Sequence, residues 1–102
     1  MKLYFYGQDS RHTDAVQLKS YISENLVPSL EEADCLLVLS GMYLSFGYGE
    51  KIEEEMEAAK QKGMPIYVIA PHGTSYIPVK LREFAEKHCD FSFSQVMALL
   101  QS

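Results

Sequence analysis

The sequence predicts a small three-layer α/β fold with a mostly parallel sheet of four or five strands. Three apolar runs of strand length lead to this prediction: KLYFY at residues 2–6, CLLVLS at 35–40 and MPIYVIA at 64–70. Between and after them, apolar residues recur at helical spacing. The middle run is apolar until its final Ser, which is typical of a strand covered on both faces. With 102 residues, of which 47% are apolar, the chain is predicted to form one domain over residues 1–102.

The first third of the chain predicts a strand, a helix and a connection. The strand at residues 2–6 ends at Gly7, and a helix follows from Thr13 or Asp14 to about Glu24. Its apolar residues have helical spacing: Ala15, Leu18 and Ile22. Residues 25–28 hold either a short edge strand or only a connection, and the SLEE at 29–32 has the form of a capping box that opens one or two helical turns.

The central strand is followed by a loop, GMYLSFGYG, and then by a helix from about Glu50 to Lys62 that Gly63 ends. The strand at 64–70 and the loop PHGTSYIP come next, and Pro78 suits the first turn of another helix. The residues of that helix that follow an i, i+3, i+4, i+7 pattern are Leu81, Phe84, Ala85 and His88.

The C-terminal residues predict one more strand and one more helix. DFSF at residues 90–93 is predicted to pair at the sheet edge, and a last amphipathic helix runs to the end of the chain. Its apolar residues are Phe93, Val96, Met97 and Leu100. Alternating strands and helices of this kind are typical of a flavodoxin-like sheet.

Charge and cysteine content exclude several functions. The net charge is −5, and the nine Lys and Arg are scattered among fourteen Asp and Glu, which argues against binding to nucleic acid or to an anionic membrane. The start of the chain lacks a secretory apolar region and no apolar stretch nears eighteen residues, so we predict a soluble, cytoplasmic protein. Cys35 and Cys89 form no CxxC, and we predict neither a metal site nor redox chemistry.

Three polar loops follow the three main strands. They are GQDSRHT, SGMYLSFGYG and PHGTS, and they supply Gly, Ser, His, Arg and Tyr side chains. Because ligands bind beyond the carboxyl ends of parallel strands, this mixture predicts a site for a nucleotide, with its ribose hydroxyls, phosphate and flat base. No loop is a Walker loop or a full GxGxxG, which argues against a standard triphosphate or Rossmann site.

The stretch EKIEEEMEAA at residues 50–59 contains five glutamates, and a helical wheel separates one of them from the rest. At about 100° per residue, the residues that define the side facing the sheet are Ile52, Met56, Ala59 and Tyr48. The glutamates on the opposite, solvated side are Glu50, Glu53, Glu54 and Glu57. Glu55 lies on the apolar side, where a carboxylate must reach a partner, reach a cavity or take a proton. Either it pairs with Arg11, Lys19 or a backbone amide, or it serves a site.

Residues 31–101, roughly two thirds of the chain, resemble the TIR-like domains of bacterial and archaeal proteins. The matching stretches are EEADCLLVLSGMY, the helix residues Ile52, Glu55, Met56 and Ala59, GMPIYVIAPHG, and Ile77-Pro78 with Leu81 and Ala85. The resemblance implies that Glu55 contacts the nicotinamide-bearing ribose of NAD while the N-glycosidic bond is broken, by hydrolysis or by cyclisation to an ADP-ribose product. NAD would be the substrate, and no further cofactor is implied. Some TIR-like proteins act in phage defence.

A second family resembles the same helix. In nucleoside 2-deoxyribosyltransferases and deoxynucleotide N-hydrolases, a YF-x-G strand end resembles residues 4–7, and an Ala-Asp pair before the central strand resembles residues 33–34. Their catalytic helix spaces Glu, Ala, Gly and Pro as Glu55, Ala59, Gly63 and Pro65 are spaced here. Both resemblances therefore select Glu55, and both families break a bond between a ribose carbon and a base nitrogen.

The leading hypothesis places the remaining site residues in the loops. The expected contacts to phosphate or ribose are Gly7, Ser10 and Arg11; the expected pocket lining is Ser40, Gly41 and Tyr43; the expected stacking side chains are Phe46 and Tyr48. Asp9 is the only near candidate for a second acid. A rival hypothesis is a non-catalytic module that binds a nucleotide or a partner protein and self-associates. It is favoured by Lys51, which stands where TIR-like helices usually carry an aromatic residue.

Overall fold

The computed structural model describes residues 1–101 and confirms the predicted α/β class. The strands of the described chain are β1 (Leu3–Phe5), β2 (Cys35–Leu39), β3 (Ile66–Ile69) and β4 (Lys87–Cys89). The helices are α1 (Thr13–Ile22), α2 (Ser40–Tyr43), α3 (Gly49–Gln61), α4 (Val79–Phe84) and α5 (Phe93–Gln101). Two 3₁₀ turns cover Ser23–Asn25 and Leu30–Glu32. Among these helices none is long and apolar enough to cross a membrane.

The four strands form one parallel sheet in the order β1-β2-β3-β4. On the outer side of β1, Leu26 makes a single parallel bridge to Leu3, and the Val27 N–H donates to the Leu3 carbonyl at 2.9 Å. Residues 25–28 are therefore a connection with one bridge rather than a full strand. Because the chain leaves β1 toward Leu26 and later returns to place β2 on the other side, the order switches between β1 and β2. This is the flavodoxin-like switch point, where ligands of such folds bind.

The helices form the two outer layers. In one layer Tyr21 of α1 packs against Phe93 of α5, with ring centroids 5.2 Å apart. In the other, the Lys60 ammonium of α3 lies 5.3 Å from the ring centroid of Phe84 in α4. All five residues of β2 are buried, as predicted for a central strand covered on both faces.

Helix α3 begins and ends within one residue of the prediction. At its end Gly63 has a φ of +71°, and the Gly63 and Met64 N–H groups donate to the Lys60 and Ala59 carbonyls at 3.0 and 2.9 Å. These two bonds form a Schellman motif, which satisfies carbonyls that the end of the helix leaves unpaired.

Two short segments differ in detail from the prediction. The sequence predicts a loop from Gly41, but residues 40–43 form one helical turn, α2, with the Leu44 N–H bonded to the Ser40 carbonyl at 3.0 Å. The predicted capping box at 29–32 forms a 3₁₀ turn. There the Ser29 hydroxyl donates to the Glu32 carboxylate at 3.0 Å, so it caps no backbone amide.

The C-terminal strand lies three residues earlier than predicted. Helix α4 ends at Phe84, and residues 87–89 pair with β3, so the prediction that His88 belongs to the helix is wrong. The sheet edge takes this backbone: the Glu86 N–H donates to the Ile66 carbonyl at 2.8 Å. The predicted strand DFSF is also wrong, because Ser92 caps α5 by accepting the Gln95 N–H at 3.2 Å. The S-x-x-Q spacing of Ser92 and Gln95 is the signal that could have located this helix start.

Candidate functional site

An open cleft lies at the carboxyl end of β1, beside the switch point. Its volume is about 450 Å³, and we call it the tyrosine cleft. Its lining residues are Tyr4, Phe5, Tyr6, Gly7, Gln8, Asp9, Ser10, Pro28 and Tyr48. Strand β1 supplies the floor, the turn after it supplies one rim, and the residue that caps α3 supplies the facing wall. The cleft therefore occupies the place where a flavodoxin-like sheet binds its ligands.

The turn after β1 is shaped by Gly7, whose φ is +94°. A Cβ at this position would collide with the methyl group of Met42, which is fully buried beneath the turn. The Ser10 N–H donates to the Gly7 carbonyl at 2.8 Å and closes the turn. A residue without a side chain is thus needed here both for the left-handed backbone and for the close approach to Met42.

One wall of the cleft is fixed by Ser10 and Tyr48, whose hydroxyl oxygens lie 3.2 Å apart. The Ser10 hydroxyl oxygen also accepts the His12 N–H at 2.9 Å, which holds the turn against the start of α1. On the other wall, the Gln8 side-chain amide donates to the Val27 carbonyl at 2.9 Å. Both walls are therefore held by hydrogen bonds.

Glu55 lies next to this cleft on the inner side of α3. The Tyr4 hydroxyl donates to Glu55 Oε1 at 2.7 Å, so the partner that the helical wheel requires is a tyrosine and not Arg11, Lys19 or a backbone amide. Burial, followed by this hydrogen bond, raises the pKa of the Tyr4 hydroxyl well above its ordinary value. The Tyr4 hydroxyl therefore keeps its proton at neutral pH and orients the Glu55 carboxylate.

Tyr6 connects Glu55 to the cleft. It lines the tyrosine cleft and also a second depression of about 540 Å³, which we call the Glu55 groove. The other residues of that groove are Lys51, Glu54 and Glu55. Tyr4 lies in β1 and Tyr6 is the first residue of the turn after it. Both side chains lie on the α3 side of the sheet, since Tyr4 donates to Glu55 and Tyr6 lines the Glu55 groove. Their side chains bring the carboxylate and the cleft together into one candidate site.

The structure brings together five of the ten predicted site residues. Four of them line the cleft, and Glu55 lies in the adjoining groove: the four are Gly7, Asp9, Ser10 and Tyr48. Asp9 is exposed at the rim, with its carboxylate 3.9 Å from the Lys19 ammonium. Tyr4 and Tyr6 were not singled out as site residues; alternate hydroxyl-bearing residues in the short apolar run KLYFY are the signal that could have found them.

The other five predicted residues lie outside the cleft lining. Arg11 is exposed on the loop before α1, and the Phe46 side chain is entirely in solvent at 103% exposure. Tyr43 points to the outer side of α3, where its hydroxyl donates to the Glu53 carboxylate at 2.6 Å. That hydrogen bond is the main reason why the pKa of Tyr43 is raised to about 12.

Ser40 and Gly41 belong to a buried polar cluster at the ends of β2 and β3. The Ser40 hydroxyl donates to the Tyr76 carbonyl at 3.4 Å, and Gly41 lies so close to the buried Asp14 carboxylate that a Cβ would collide with it. The His72 N–H donates to the same carboxylate at 3.4 Å. These contacts join the loops after β2 and β3 to α1.

His12 completes this cluster in a form that argues against nucleophilic catalysis. Its Nδ1 accepts the Asp14 N–H at 3.1 Å, so in the neutral ring Nε2 carries the proton and donates to Ser45 Oγ at 3.1 Å. The Ser45 hydroxyl in turn donates to the Gly41 carbonyl at 2.8 Å. An imidazole in this tautomer cannot accept the serine proton as a general base.

The described residues also limit metal and thiol chemistry. Within residues 1–101 no group of three or more His, Cys, Asp or Glu side chains is placed to hold a metal ion. Burial raises the pKa of the Cys35 thiol to about 12 and that of Cys89 to about 11, so both thiols are protonated at neutral pH.

Comparisons with known proteins add no further assignment. No protein-family model matches the chain, and a search of curated proteins finds no match. The resemblances to TIR-like domains and to deoxyribosyltransferases stay predictions.

Proposed function

We propose that the tyrosine cleft and the Glu55 groove bind a nucleotide, and that Glu55 promotes cleavage of the N-glycosidic bond of NAD. The products would be those of hydrolysis or of cyclisation to an ADP-ribose, as the resemblance to TIR-like enzymes implies. The observation that carries the proposal is the Glu55 carboxylate, held at 2.7 Å by the Tyr4 hydroxyl and connected to the cleft through Tyr6. A held carboxylate beside a cleft at the switch point is the arrangement that such chemistry needs.

The reaction requires stabilisation of positive charge on the ribose. When the bond between ribose C1′ and the pyridinium nitrogen breaks, its electron pair goes to that nitrogen and nicotinamide leaves as a neutral molecule. The ribose acquires oxocarbenium character, as it does in glycoside hydrolysis. A nearby carboxylate stabilises this charge and orients the sugar hydroxyls. In hydrolysis water then adds to C1′ and releases a proton to solvent; in cyclisation a nucleophilic atom of the same molecule adds instead.

The hydrogen bond from Tyr4 gives the two carboxylate oxygens of Glu55 different roles. Its hydroxyl donates to Oε1 of Glu55, which fixes the plane of the carboxylate, and Oε2 would then accept from a ribose hydroxyl. Because nicotinamide leaves neutral, the mechanism needs no strong general acid. This agrees with a cleft in which Asp9 is the only carboxylate of the lining.

A second candidate is a nucleoside 2-deoxyribosyltransferase-like activity or deoxynucleotide N-glycosidase. It is supported by the Tyr4–Glu55 contact itself, which joins the two stretches that carry that resemblance, residues 4–7 and the α3 glutamate. In this reaction Glu55 would attack C1′ or stabilise its charge, and the neutral base would leave with a proton. Asp9 is the acid of the lining that could supply the proton.

A non-catalytic binding or signalling module is the third candidate. It is supported by exposed apolar side chains between α2 and α3, Leu44 at 53% and Phe46 at 103% exposure, which suit contact with a partner or a second copy. It predicts nucleotide binding without turnover. It also predicts a mass in size-exclusion chromatography that rises with protein concentration.

One assay separates the three candidates. NAD and deoxynucleoside monophosphates are incubated with the protein, and the released base is quantified by liquid chromatography. We expect nicotinamide release by the parent and no release by Glu55→Gln. This variant should stay folded with a slightly lower melting temperature, because the Gln oxygen can still accept from the Tyr4 hydroxyl but carries no charge. Glu57→Gln is the matched control, since Glu57 is exposed on the same helix, and it should keep the parent rate.

Each possible outcome of this assay supports or excludes one of the three candidate functions. NAD consumption by Glu55→Gln at the parent rate would rule out the proposed role of Glu55. Base release from deoxynucleotides alone would establish the second candidate instead of the first. Binding without release of any base, together with concentration-dependent association, would support the module.

A further inference from the structure

His12 connects three segments around the candidate site. Its backbone N–H donates to Ser10 Oγ at 2.9 Å, on the turn after β1. Its ring caps α1, because Nδ1 accepts the Asp14 N–H at 3.1 Å. Its Nε2 donates to Ser45 Oγ at 3.1 Å, on the segment that leads into α3. A single residue therefore joins the turn after β1, the start of α1 and the segment before α3.

The contacts of His12 lead to Tyr48, which forms one wall of the tyrosine cleft. Ser45 and Tyr48 belong to one turn, in which the Tyr48 N–H donates to the Ser45 carbonyl at 3.4 Å. The Ser10 hydroxyl, which accepts the His12 N–H, lies 3.2 Å from the Tyr48 hydroxyl. Tyr48 is thus held at its backbone by Ser45 and at its ring by Ser10. His12 is hydrogen-bonded to both of these serines.

The cap of α1 requires a neutral imidazole. A protonated ring has two N–H groups and no acceptor, so its Nδ1–H and the Asp14 N–H would point at each other across 3.1 Å. The ring would have to turn away from that N–H. Because the ring is rigid, its Nε2 would leave Ser45 in the same movement. Among unperturbed side chains, only histidine changes its charge between about pH 5 and 8.

The Asp14 carboxylate offers a protonated His12 another partner. Asp14 Oδ2 and His12 Cε1 both lie next to the position that a Cβ of Gly41 would take. Residues 41–49, on the segment that carries Ser45, include no charged side chain. The other titratable side chains on the neighbouring segments are exposed or hydrogen-bonded elsewhere: Asp9, Arg11, Lys19, Tyr43 and His72. Asp14 is thus the group to which a protonated ring would turn.

We propose that His12 is a positioning residue, which holds the Tyr48 wall of the tyrosine cleft in place only while its imidazole is neutral. When the ring takes up a proton from solvent, it exchanges the Asp14 N–H for the Asp14 carboxylate, releases Ser45 and loosens the turn that carries Tyr48. This adds a pH-dependent control to the candidate site. It rests on the proposed function for the role of the cleft in binding NAD, whereas the coupling between His12 and Tyr48 does not.

The first test measures this coupling without any substrate. In isotope-labelled parent protein, NMR follows the His12 Cε1–H signal and the Tyr48 amide from about pH 8 to about pH 5. We expect both signals to change with one common midpoint. Relaxation measurements on the Tyr48 amide report whether the turn loosens, and its order parameter should fall from about 0.85 to about 0.6 or less. An order parameter that stays constant while the His12 ring titrates would overturn the proposal.

Two variants separate the two ring nitrogens. The amide oxygen of Asn lies as many bonds from Cβ as Nδ1 does, so His12→Asn keeps the cap of α1 and loses the contact to Ser45. The amide nitrogen of Gln reaches as far as Nε2, so His12→Gln keeps that contact and weakens the cap. Neither side chain titrates, so both variants should lose the pH-dependent change at Tyr48. His88→Gln is the matched control, since His88 is exposed on β4 and its replacement should leave that change intact.

The second test is the pH dependence of base release from NAD. We expect the KM of the parent to rise about fivefold as the pH falls through this range, with a smaller change in kcat, because the loosened wall weakens binding. In His12→Asn the KM should be raised at every pH and nearly independent of pH.

The two tests fail in different ways. The same pH-dependent change at Tyr48 in a folded His12 variant as in the parent would overturn the proposal. The NMR measurement on the parent needs no variant, so a variant that fails to fold leaves the proposal testable. Base release with a KM that does not depend on pH would remove this inference and leave the proposed function intact. Coupled titration of His12 and Tyr48 without base release would retain the coupling and remove the proposed cleavage.

Discussion

Helix α3 carries two tyrosine–glutamate pairs, one on each side. On the inner side the Tyr4 hydroxyl donates to Glu55 at 2.7 Å, and on the outer side the Tyr43 hydroxyl donates to Glu53 at 2.6 Å. The two hydrogen bonds have the same chemistry and almost the same length. Their surroundings differ, because Tyr4 belongs to a strand of the sheet and lines a cleft, whereas Tyr43 comes from the short helix α2.

The different surroundings of the two pairs account for the different causes of the tyrosine pKa shifts. Burial is the largest cause of the raised pKa of Tyr4, while the hydrogen bond to Glu53 is the largest cause for Tyr43. A charge-assisted hydrogen bond is stronger where water is excluded, and there it also orients its acceptor more firmly. The contact type alone therefore does not mark a functional residue; its depth and its access to a cleft do.

The largest expected effect is on turnover. We expect Tyr4→Phe to lower the rate of base release about 10- to 100-fold, because Glu55 loses the donor that fixes its orientation at the ribose. Tyr43→Phe removes the equivalent hydroxyl from the outer pair and should keep the parent rate. Initial rates at saturating and at low NAD would separate an effect on kcat from one on KM. Equal rates of base release for the two variants would show that the inner pair has no special role in turnover.

Part of this contrast could be predicted from the sequence. The helical wheel separates Glu55 from the other four glutamates, since an apolar stripe at helical period defines the buried side of an amphipathic helix. The outer pair could not be predicted, because it depends on α2. A helical turn at residues 40–43 has no period of its own over four residues, and its position follows from packing against β2 and α3.

The same limit explains the errors at the C-terminus. Strands β2 and β3 were predicted from continuous apolar runs and α3 from a long run with helical period, and the structure confirms them. The helix predicted after β3 is confirmed only as far as Phe84. Strand β4 has only three residues, and its identity follows from hydrogen bonds to β3 that no local pattern records. Similarly, Tyr4 and Tyr6 become site residues only because the fold brings α3 across the face of β1.

A smaller effect is expected on stability. Tyr4→Phe should lower the free energy of unfolding by about 1.5 kcal/mol, since a charged acceptor in a half-buried site loses its donor. Tyr43→Phe should lower it by less than about 1 kcal/mol, because water can replace the lost partner of Glu53. Urea unfolding at neutral pH measures both changes. If Tyr43→Phe lost more free energy of unfolding than Tyr4→Phe, the Tyr4–Glu55 pair could not be the more stabilising of the two.

The alkaline limit of this stability follows from the pKa shifts. Each hydroxyl has a higher pKa in the folded chain than in the unfolded chain, where it is about 10. Its contribution is therefore complete below pH about 10 and is lost as the pH rises through the folded value. For Tyr43 that value is about 12, and for Tyr4 it is higher still. Both contributions should begin to shrink at about pH 10, and the difference in stability between parent and Tyr43→Phe should stop shrinking at a lower pH than that between parent and Tyr4→Phe.

The smallest expected effect concerns the outer glutamates, which the sequence treats as equivalent. Glu53→Gln keeps an oxygen that can accept from Tyr43 but removes the charge, so the free energy of unfolding should fall by about 0.5 kcal/mol. Glu57→Gln should change it little or raise it slightly, because Glu57 is exposed and the chain carries a net charge of −5. Thermal unfolding at low salt would resolve the two. An identical melting temperature for both variants would mean that the Tyr43–Glu53 hydrogen bond contributes nothing measurable to stability.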